Sequence, residues 1–174
     1  RTYKVIDDSK PKTTLTAAAV NGSNGWYKSN FNVTVNTSDI GEGVEKIYYC
    51  TNTSKCTPNT EATGTSKAVT VSSESKTNYV CAYSVDKAGN ISDTTCGGPY
   101  KLDKTGPTIT YPATTEVEQA EQTIDLWNNV TYSDNYTATA SIEKSVTGTL
   151  NFAQPDDYKV TYTLKDDAGN VTTK

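Results

Sequence analysis

The chain of 174 residues contains no histidine and no methionine, and only two tryptophans and two phenylalanines. Without histidine, the Ser-His and Cys-His pairs that activate a nucleophile are excluded. No insertion that could form a cleft around a carboxylate pair is evident, so the sequence does not indicate a glycoside hydrolase. We therefore predict that the chain is not an enzyme, with no catalytic residues and no cofactor.

Charge and hydropathy exclude two further classes of partner. The chain has 16 basic and 20 acidic residues, a net charge of −4, and its lysines form no cluster. Because clustered positive charge is what holds a nucleic acid, we expect no nucleic-acid partner. No apolar run approaches the ~20 residues of a transmembrane helix, so we expect no membrane insertion in this segment.

The residues that are abundant are typical of β-structure. Hydrophobic residues make up only 34% of the chain, but tyrosines number 12, and threonine, serine and asparagine dominate the rest. Aromatic and β-branched residues favour strands, and the short alternating runs here are separated by clusters of Asn, Asp, Ser and Gly. This pattern predicts an all-β chain folded as β-sandwiches with polar outer faces.

A short motif occurs twice and predicts a tandem array. The sequence DKAGNI of Asp86–Ile91 returns as DDAGNV at Asp166–Val171, and linkers with Pro11 and Pro107 follow similar strand ends. A repeated strand-turn-strand signature indicates modules in series. We predict one module over residues 9–104 and a second over 105–174, with residues 1–8 as the tail of a preceding module. The chain would then be a monomeric fragment of a longer multidomain protein.

The strand before the first motif sets the predicted faces of its sheet. We align this strand with the strand that precedes the second motif by counting back from each turn. The alignment predicts an inward and an outward set of side chains. The inward set is Val80, Ala82 and Ser84, and the outward set is Tyr79, Cys81, Tyr83 and Val85. A two-residue turn centred on Ala88 and Gly89 would set Cys81 opposite Cys96. The same register would place Ile91 on the inner face beside Val80.

Further strand-like runs are present in both modules. In the first they are Thr13–Val20, Phe31–Asn36, Val44–Thr51, Lys67–Ser72 and Asn90–Thr95, and in the second Thr108–Tyr111, Glu116–Glu118, Val130–Tyr132, Ser141–Val146, Thr149–Phe152 and Lys159–Lys165.

The four cysteines are predicted to form disulfides. All lie between Cys50 and Cys96, and zinc would need every thiolate at spacings that lack paired Cys-x-x-Cys knuckles. The hairpin register favours Cys81 with Cys96, and the polar loop between Cys50 and Cys56 favours closure of that pair. The alternative is Cys50 with Cys81 and Cys56 with Cys96. Disulfides indicate an oxidising, extracytoplasmic location.

Two stretches carry a resemblance to known families. Val80–Ser92 resembles the immunoglobulin-like repeats of bacterial surface proteins, which commonly end in a strand followed by Asp-x-Ala-Gly-Asn-x-Ser, and Gly25–Tyr27 and Asp39–Val44 are similar to the same group. Tyr111–Lys174 resembles the immunoglobulin-like module first noted in insecticidal crystal proteins, through Ser133–Asn135, Asp157–Tyr162 and Asp166–Asn170. The resemblance implies two tandem immunoglobulin-like β-sandwiches.

Two groups of residues are candidates for binding. Outward-facing Tyr48, Tyr79 and Tyr83 form a candidate face for a host protein or a glycan, although packing against strands and disulfides is the simpler interpretation. Five aspartates near the module ends offer oxygen ligands for calcium, namely Asp7, Asp8, Asp86, Asp103 and Asp166. Their spacing is irregular, so we interpret them as solvated turn acids and predict no metal site.

These observations favour a structural role. We expect a stalk, spacer or adhesin segment of a bacterial cell-surface or secreted protein, located outside the cell. The alternative is a carbohydrate- or host-protein-binding accessory module, because sandwich folds of this kind serve many functions.

Overall fold

A computed structural model of the chain, describing residues 1–119 and 123–174, is all-β, as predicted. One short 3-10 turn, Thr139–Ser141, interrupts the strands. In the described part of the chain no helix has the length and apolar character of a membrane-spanning segment. The residues divide into two compact units, Arg1–Asn21 with Gly25–Asp103 and Gly22–Asn24 with Lys104–Lys174.

Among the described residues, eight strands belong to the first unit and five to the second. The first set is β1 Lys12–Ala17, β2 Trp26–Tyr27, β3 Phe31–Ser38, β4 Val44–Asn52, β5 Thr60–Thr63, β6 Ser66–Val71, β7 Ser75–Asp86 and β8 Thr95–Leu102. The second set is β9 Thr108–Thr110, β10 Thr131–Ser133, β11 Glu143–Thr147, β12 Thr161–Lys165 and β13 Val171–Thr173.

The first unit contains two sheets that share one core. One has the strand order β1-β3-β6 and the other β2-β8-β7-β4-β5. All pairs are antiparallel except β2 with β8. The wider sheet is bordered by its two shortest strands, β2 with two residues and β5 with four.

Alternation along the strands builds the core of the first unit. In β3 the buried residues Phe31, Val33 and Val35 are separated by Asn32 and Thr34, which reach the solvent side. Side chains of both sheets join one buried cluster, formed by Tyr27, Phe31, Val33, Val35, Ile47, Val69, Val71, Val80, Ala82 and Leu102. Burying a valine or leucine side chain contributes about 1.5–3 kcal/mol, so this two-layer packing, consistent with a β-sandwich, is the main source of stability.

The predicted faces of β7 are confirmed. Val80, Ala82 and Ser84 are fully buried, whereas Tyr83 and Val85 are partly exposed on the opposite face. Cys81 also lies on the outward face by alternation, but it is fully buried, and the Sγ atoms of Cys50 and Cys56 lie within 4.8 Å of its own. The choice of faces therefore follows register rather than the hydrophobicity of single residues.

The prediction of a two-residue turn at the first motif is wrong, because the turn is one residue longer. Gly89 N–H donates to the Asp86 carbonyl at 3.2 Å, and Asp86 N–H donates to the Asn90 carbonyl at 3.1 Å, so the loop has three residues, as in a type I turn with a following glycine bulge. Ile91 consequently bridges Val85 and is 53% exposed. A one-residue shift exchanges the two faces of a strand, which explains why Ile91 is not in the core.

The shift also brings a serine into the interior. Ser92 is only 7% exposed, and its backbone N–H donates to the Ser84 carbonyl at 2.9 Å. The register predicted for Cys81 and Cys96 is nevertheless present, because the pairing changes between Ser92 and Thr95. The predicted strand Asn90–Thr95 is therefore reduced to an isolated bridge and the first residue of β8.

Two predicted strands of the second unit are absent. Residues 116–118 form no strand, and their two glutamates are poor strand formers flanking a single valine. Residues 149–152 also form no strand. A turn spans residues 151–154, in which Asn151 accepts hydrogen bonds from Ala153 N–H through its side chain and from Gln154 N–H through its carbonyl. Asparagine commonly closes turns in this way.

The second unit has a smaller core around Tyr162. Its sheets have the orders β10-β9 and β11-β12-β13. Tyr162 is 8% exposed, stacks on Tyr111 at 5.5 Å and meets Trp127 edge-on at 5.1 Å. Its hydroxyl donates to the Leu126 carbonyl at 2.6 Å, so the polar end of the ring is satisfied inside the unit.

Candidate functional site

The recurring motif builds the same turn in both units. Asn90 donates to the two carboxylate oxygens of Asp86, from its backbone N–H at 2.7 Å and from its side-chain amide at 2.8 Å. Asn170 donates to Asp166 in the same way and at the same two distances. Gly89 and Gly169 have φ of 94° and 89°, which favours glycine. Asp86 and Asp166 are therefore turn acids, as interpreted from the sequence, but that interpretation was wrong in calling them solvated: both are buried, and the N–H groups of the turn replace water around their carboxylates.

The two disulfides join the pairs predicted from register and loop length. Cys50 and Cys56 are linked with a Cα–Cα distance of 6.2 Å, and Cys81 and Cys96 with a distance of 4.0 Å. The first closes the loop that follows β4, and the second joins opposite residues of β7 and β8. Disulfides are typical of oxidising compartments, so they indicate such an environment for this chain.

Two of the three predicted tyrosines form a stacked pair on the outer face of the wider sheet. Tyr48 and Tyr83 are opposite each other on β4 and β7, with ring centroids 4.9 Å apart and an interplanar angle of 19°. Tyr79 lies on the same face of β7, but Cys81 separates it from Tyr83. The predicted set is therefore a pair plus a separate ring rather than one continuous platform.

A charged pair fixes one end of the stacked tyrosines. The Tyr48 hydroxyl donates to Glu61 on β5 at 3.0 Å, and Lys46 forms an ion pair with Glu61 at 3.2 Å. Hydrogen bonds from Lys46 and Tyr48 lower the pKa of Glu61, and the hydrogen bond to Glu61 raises the pKa of Tyr48. The tyrosine pair thus presents partly exposed rings beside a carboxylate that stays ionised.

Three aspartates of the first unit form a second candidate site, the carboxylate group of Asp7, Asp39 and Asp86. One oxygen from each lies within 4.8 Å of the others. Backbone N–H groups hold two of them: Gly41 and Gly43 each donate to Asp39 at 2.9 Å, and Ser9 and Glu42 donate to Asp7 at 3.0 and 2.8 Å. Asn90 holds the third, as described above.

The carboxylate group has properties that favour a cation. Asp86 is fully buried, and the Oδ1 atom of Asp39 is buried with no hydrogen-bond partner. Within residues 1–119 and 123–174 none of the three aspartates forms an ion pair with a basic side chain. Hard cations such as Ca²⁺ bind carboxylate oxygens of this kind, so these residues are the ones that could hold a metal.

The remaining aspartates considered for calcium lie elsewhere. Asp8 is exposed next to the carboxylate group, Asp103 is fully buried in the first unit and Asp166 is 3% exposed in the second. Sequence reasoning missed Asp39, Lys46 and Glu61. The alternation of Asp39 with Gly41 and Gly43 was a usable signal, because an aspartate before closely spaced glycines commonly accepts their backbone N–H groups in a turn.

No protein-family model matches the chain, and no curated protein matches it significantly.

Proposed function

We propose that the chain is a non-catalytic segment of two tandem immunoglobulin-like β-sandwiches, acting as a stalk, spacer or adhesin module of a bacterial cell-surface or secreted protein. Its mechanical role is to hold another part of a longer protein away from the cell. The all-β structure and the division into two units support this proposal. So do the disulfides, which suit an extracellular location.

The observation that carries the proposal is the duplicated turn. The two hydrogen bonds from Asn90 to Asp86 have the same lengths as those from Asn170 to Asp166, 2.7 and 2.8 Å in each unit. Two units that end in the same strand-turn-strand element are best explained as copies of one module type. Repeated modules of this kind are suited to extending a chain rather than to forming a catalytic cleft.

Mechanical unfolding of single molecules tests the modular role. When the whole chain is stretched between its ends, two separate unfolding events are expected, one for each module. The Cys50–Cys56 and Cys81–Cys96 links should shorten the first module's extension under oxidising conditions, and reduction should restore it. One cooperative event for the entire chain would contradict the tandem-module proposal.

A binding module is the second candidate, and the stacked Tyr48–Tyr83 pair favours it. Partly exposed, rigid aromatic rings beside a polar group are a common feature of protein and sugar recognition. Here the Glu61 carboxylate lies at the edge of the pair, where it can accept hydrogen bonds from ligand hydroxyl groups. The ligand would be a glycan or a host protein.

Binding assays separate the two candidates. The full chain is applied to a glycan array and to host cells, together with Tyr48→Ala, Tyr83→Ala and, as a matched surface control, Tyr3→Ala, whose side chain is 74% exposed. A spacer should show no saturable binding. Saturable binding that the first two variants lose and the control retains would replace the spacer function with the binding function.

A bound cation would add to either function. The buried, unpartnered Asp39 Oδ1 atom in the carboxylate group supports binding of Ca²⁺ within the first unit. Such an ion would link the segment before β1 to the loop after β3 and to the end of β7. Its expected effect is stiffening of the first unit, because it joins segments that are distant in sequence.

A further inference from the structure

The two disulfides of the first unit lie side by side, in an arrangement suited to exchange. Cys50 on β4 is the register partner of Cys81 on β7, and Cys81 is the partner of Cys96 on β8. The three residues therefore form a row across adjacent strands. The Sγ atoms of Cys50, Cys56 and Cys81 all lie within 4.8 Å of one another.

The cysteines differ in their access to solvent. Cys56 is partly exposed in the loop after β4, whereas Cys50 is 8% exposed and Cys81 is fully buried. An external thiol can therefore reach the first disulfide at Cys56 more readily than at Cys50. The Cys81 sulfur is shielded from solvent but lies next to the first disulfide.

From this arrangement we propose that the two disulfides form an exchange relay. In this relay Cys56 is the site of modification by a low-molecular-weight thiol and Cys50 is the internal nucleophile. The proposal assigns a reactive site that is independent of the spacer and binding functions. Its substrate class is a small thiol, RSH, in its thiolate form, because thiolates are the nucleophiles of disulfide exchange.

The first step places the thiol on Cys56. The thiolate RS⁻ attacks Cys56 Sγ, the Cys56–S–S–R bond forms and the Cys50–Cys56 bond breaks. The electron pair of the broken bond remains on Cys50 Sγ, which becomes a thiolate. No oxidant is needed, because one disulfide replaces another.

The second step passes the disulfide along the row. The Cys50 thiolate attacks Cys81 Sγ, the Cys50–Cys81 bond forms and the Cys81–Cys96 bond breaks. The electron pair leaves on Cys96 Sγ, which takes a proton from water to replace the one lost by RSH. The net result is one mixed disulfide at Cys56, one Cys50–Cys81 disulfide and one thiol at Cys96.

The row explains why Cys50 is the internal nucleophile. Exchange requires the attacking sulfur to approach from the side opposite the leaving sulfur. Cys50 and Cys96 are on strands that flank β7 from opposite sides, with Cys81 between them. Opposite residues of neighbouring strands are close enough for a disulfide, so the product needs little backbone movement.

Limited reaction with reduced glutathione tests the relay on the full chain. The reaction is quenched with excess N-ethylmaleimide at mildly acidic pH, which alkylates free thiols while exchange is slow, and the unreduced digest is analysed by mass spectrometry. The expected products are glutathione on Cys56, a Cys50–Cys81 cross-linked peptide and alkylation of Cys96. Alkylation of Cys50 with the Cys81–Cys96 link intact would overturn the proposal.

A variant provides a second measurement that needs no added thiol. Cys56→Ser leaves Cys50 as a free thiol beside Cys81, so alkylation is expected to divide between Cys50 and Cys96. The matched control, Cys50→Ser, leaves Cys56 free and is expected to be alkylated at Cys56 alone. Labelling of only Cys50 in the first variant would show that Cys50 does not relay the exchange. Labelling of Cys96 in the control would show that Cys56 also attacks Cys81, and would overturn the assignment of Cys50 as the internal nucleophile.

Discussion

The hydroxyl of Thr13 on β1 lies 2.9 Å from the hydroxyl of Ser92, which follows the turn after β7. Thr13 also bonds the Ser84 hydroxyl at 2.7 Å, and Ser84 N–H donates to Ser92 Oγ at 2.9 Å. All three residues are buried. This network of hydroxyls therefore joins the two sheets of the first unit through hydrogen bonds inside an otherwise apolar interior.

Replacing Ser92 with alanine should destabilise the first unit. Thr13 Oγ1 and Ser84 N–H would each lose a buried partner, and an unsatisfied buried group costs about 1–3 kcal/mol. Urea-induced unfolding of the full chain measures the change. Ser54→Ala, at an exposed position of the loop after β4, is the control and should leave the unfolding free energy unchanged. An equally stable Ser92→Ala variant would show that water replaces the hydroxyl.

The duplicated turn makes a paired prediction. Asn90→Ala and Asn170→Ala each remove a side-chain donor to a buried aspartate, so each should lower the stability of its own unit by about 1–3 kcal/mol. Hydrogen exchange can follow the two units separately. Protection should fall in β7 for the first variant and in β12 for the second. Loss of protection throughout the chain from either change would contradict independent units.

The ionised state of Glu61 predicts a pH-dependent contribution to stability. Hydrogen bonds from Lys46 and Tyr48 hold its pKa in the folded chain below its ordinary value, so the contribution is present above the pKa of the unfolded chain and is lost as the pH falls through the lower folded pKa. Because the group is at the surface, the effect should be small. Glu61→Gln should remove this part of the pH dependence and lower the pKa of the Tyr48 hydroxyl toward its ordinary value, because the hydrogen bond to the carboxylate is what raises it.

Carbon-13 NMR titration of the tyrosine rings measures the second effect. The unaltered chain, titrated under the same conditions, is the reference. An unchanged Tyr48 titration in Glu61→Gln would mean that the hydrogen bond between Tyr48 and Glu61 is not maintained in solution.

Calcium should raise the melting temperature of the first unit. A ligand that binds only the folded state stabilises it by about 2.7 kcal/mol at 100 times its dissociation constant. Calorimetry with CaCl₂ against EDTA measures the shift. Asp39→Asn keeps the shape of the side chain but removes one charge, so it should reduce the shift strongly. Asp93→Asn, whose side chain is 97% exposed, should not. No shift in the unaltered chain would exclude the cation.

Local features were predictable from the sequence because few distant residues determine them. The Asp-x-Ala-Gly-Asn turn is closed by its own residues, and the Cys50–Cys56 link closes a short loop. The Cys81–Cys96 pair followed from the hairpin register. That prediction was correct although the turn was wrong, because one extra residue between Ser92 and Thr95 restored the predicted pairing.

Features that depend on tertiary packing were not predictable in the same way. Alternation placed Ile91 in the core, but a loop one residue longer placed Ser92 there. Asp39 joins Asp7 and Asp86 only because the segments before β1 and after β3 meet at the end of β7. No local pattern in the chain encodes that meeting, so only two members of the carboxylate group were singled out.

The short strands at both borders of the wider sheet have a consequence for the protein at high concentration. A long, flat border strand would leave its backbone N–H and C=O groups open to strands of neighbouring chains, and aggregates would grow from there. With only two residues in β2 and four in β5, such neighbours find little backbone to bond. The borders of this sheet should therefore contribute little to association between copies of the protein.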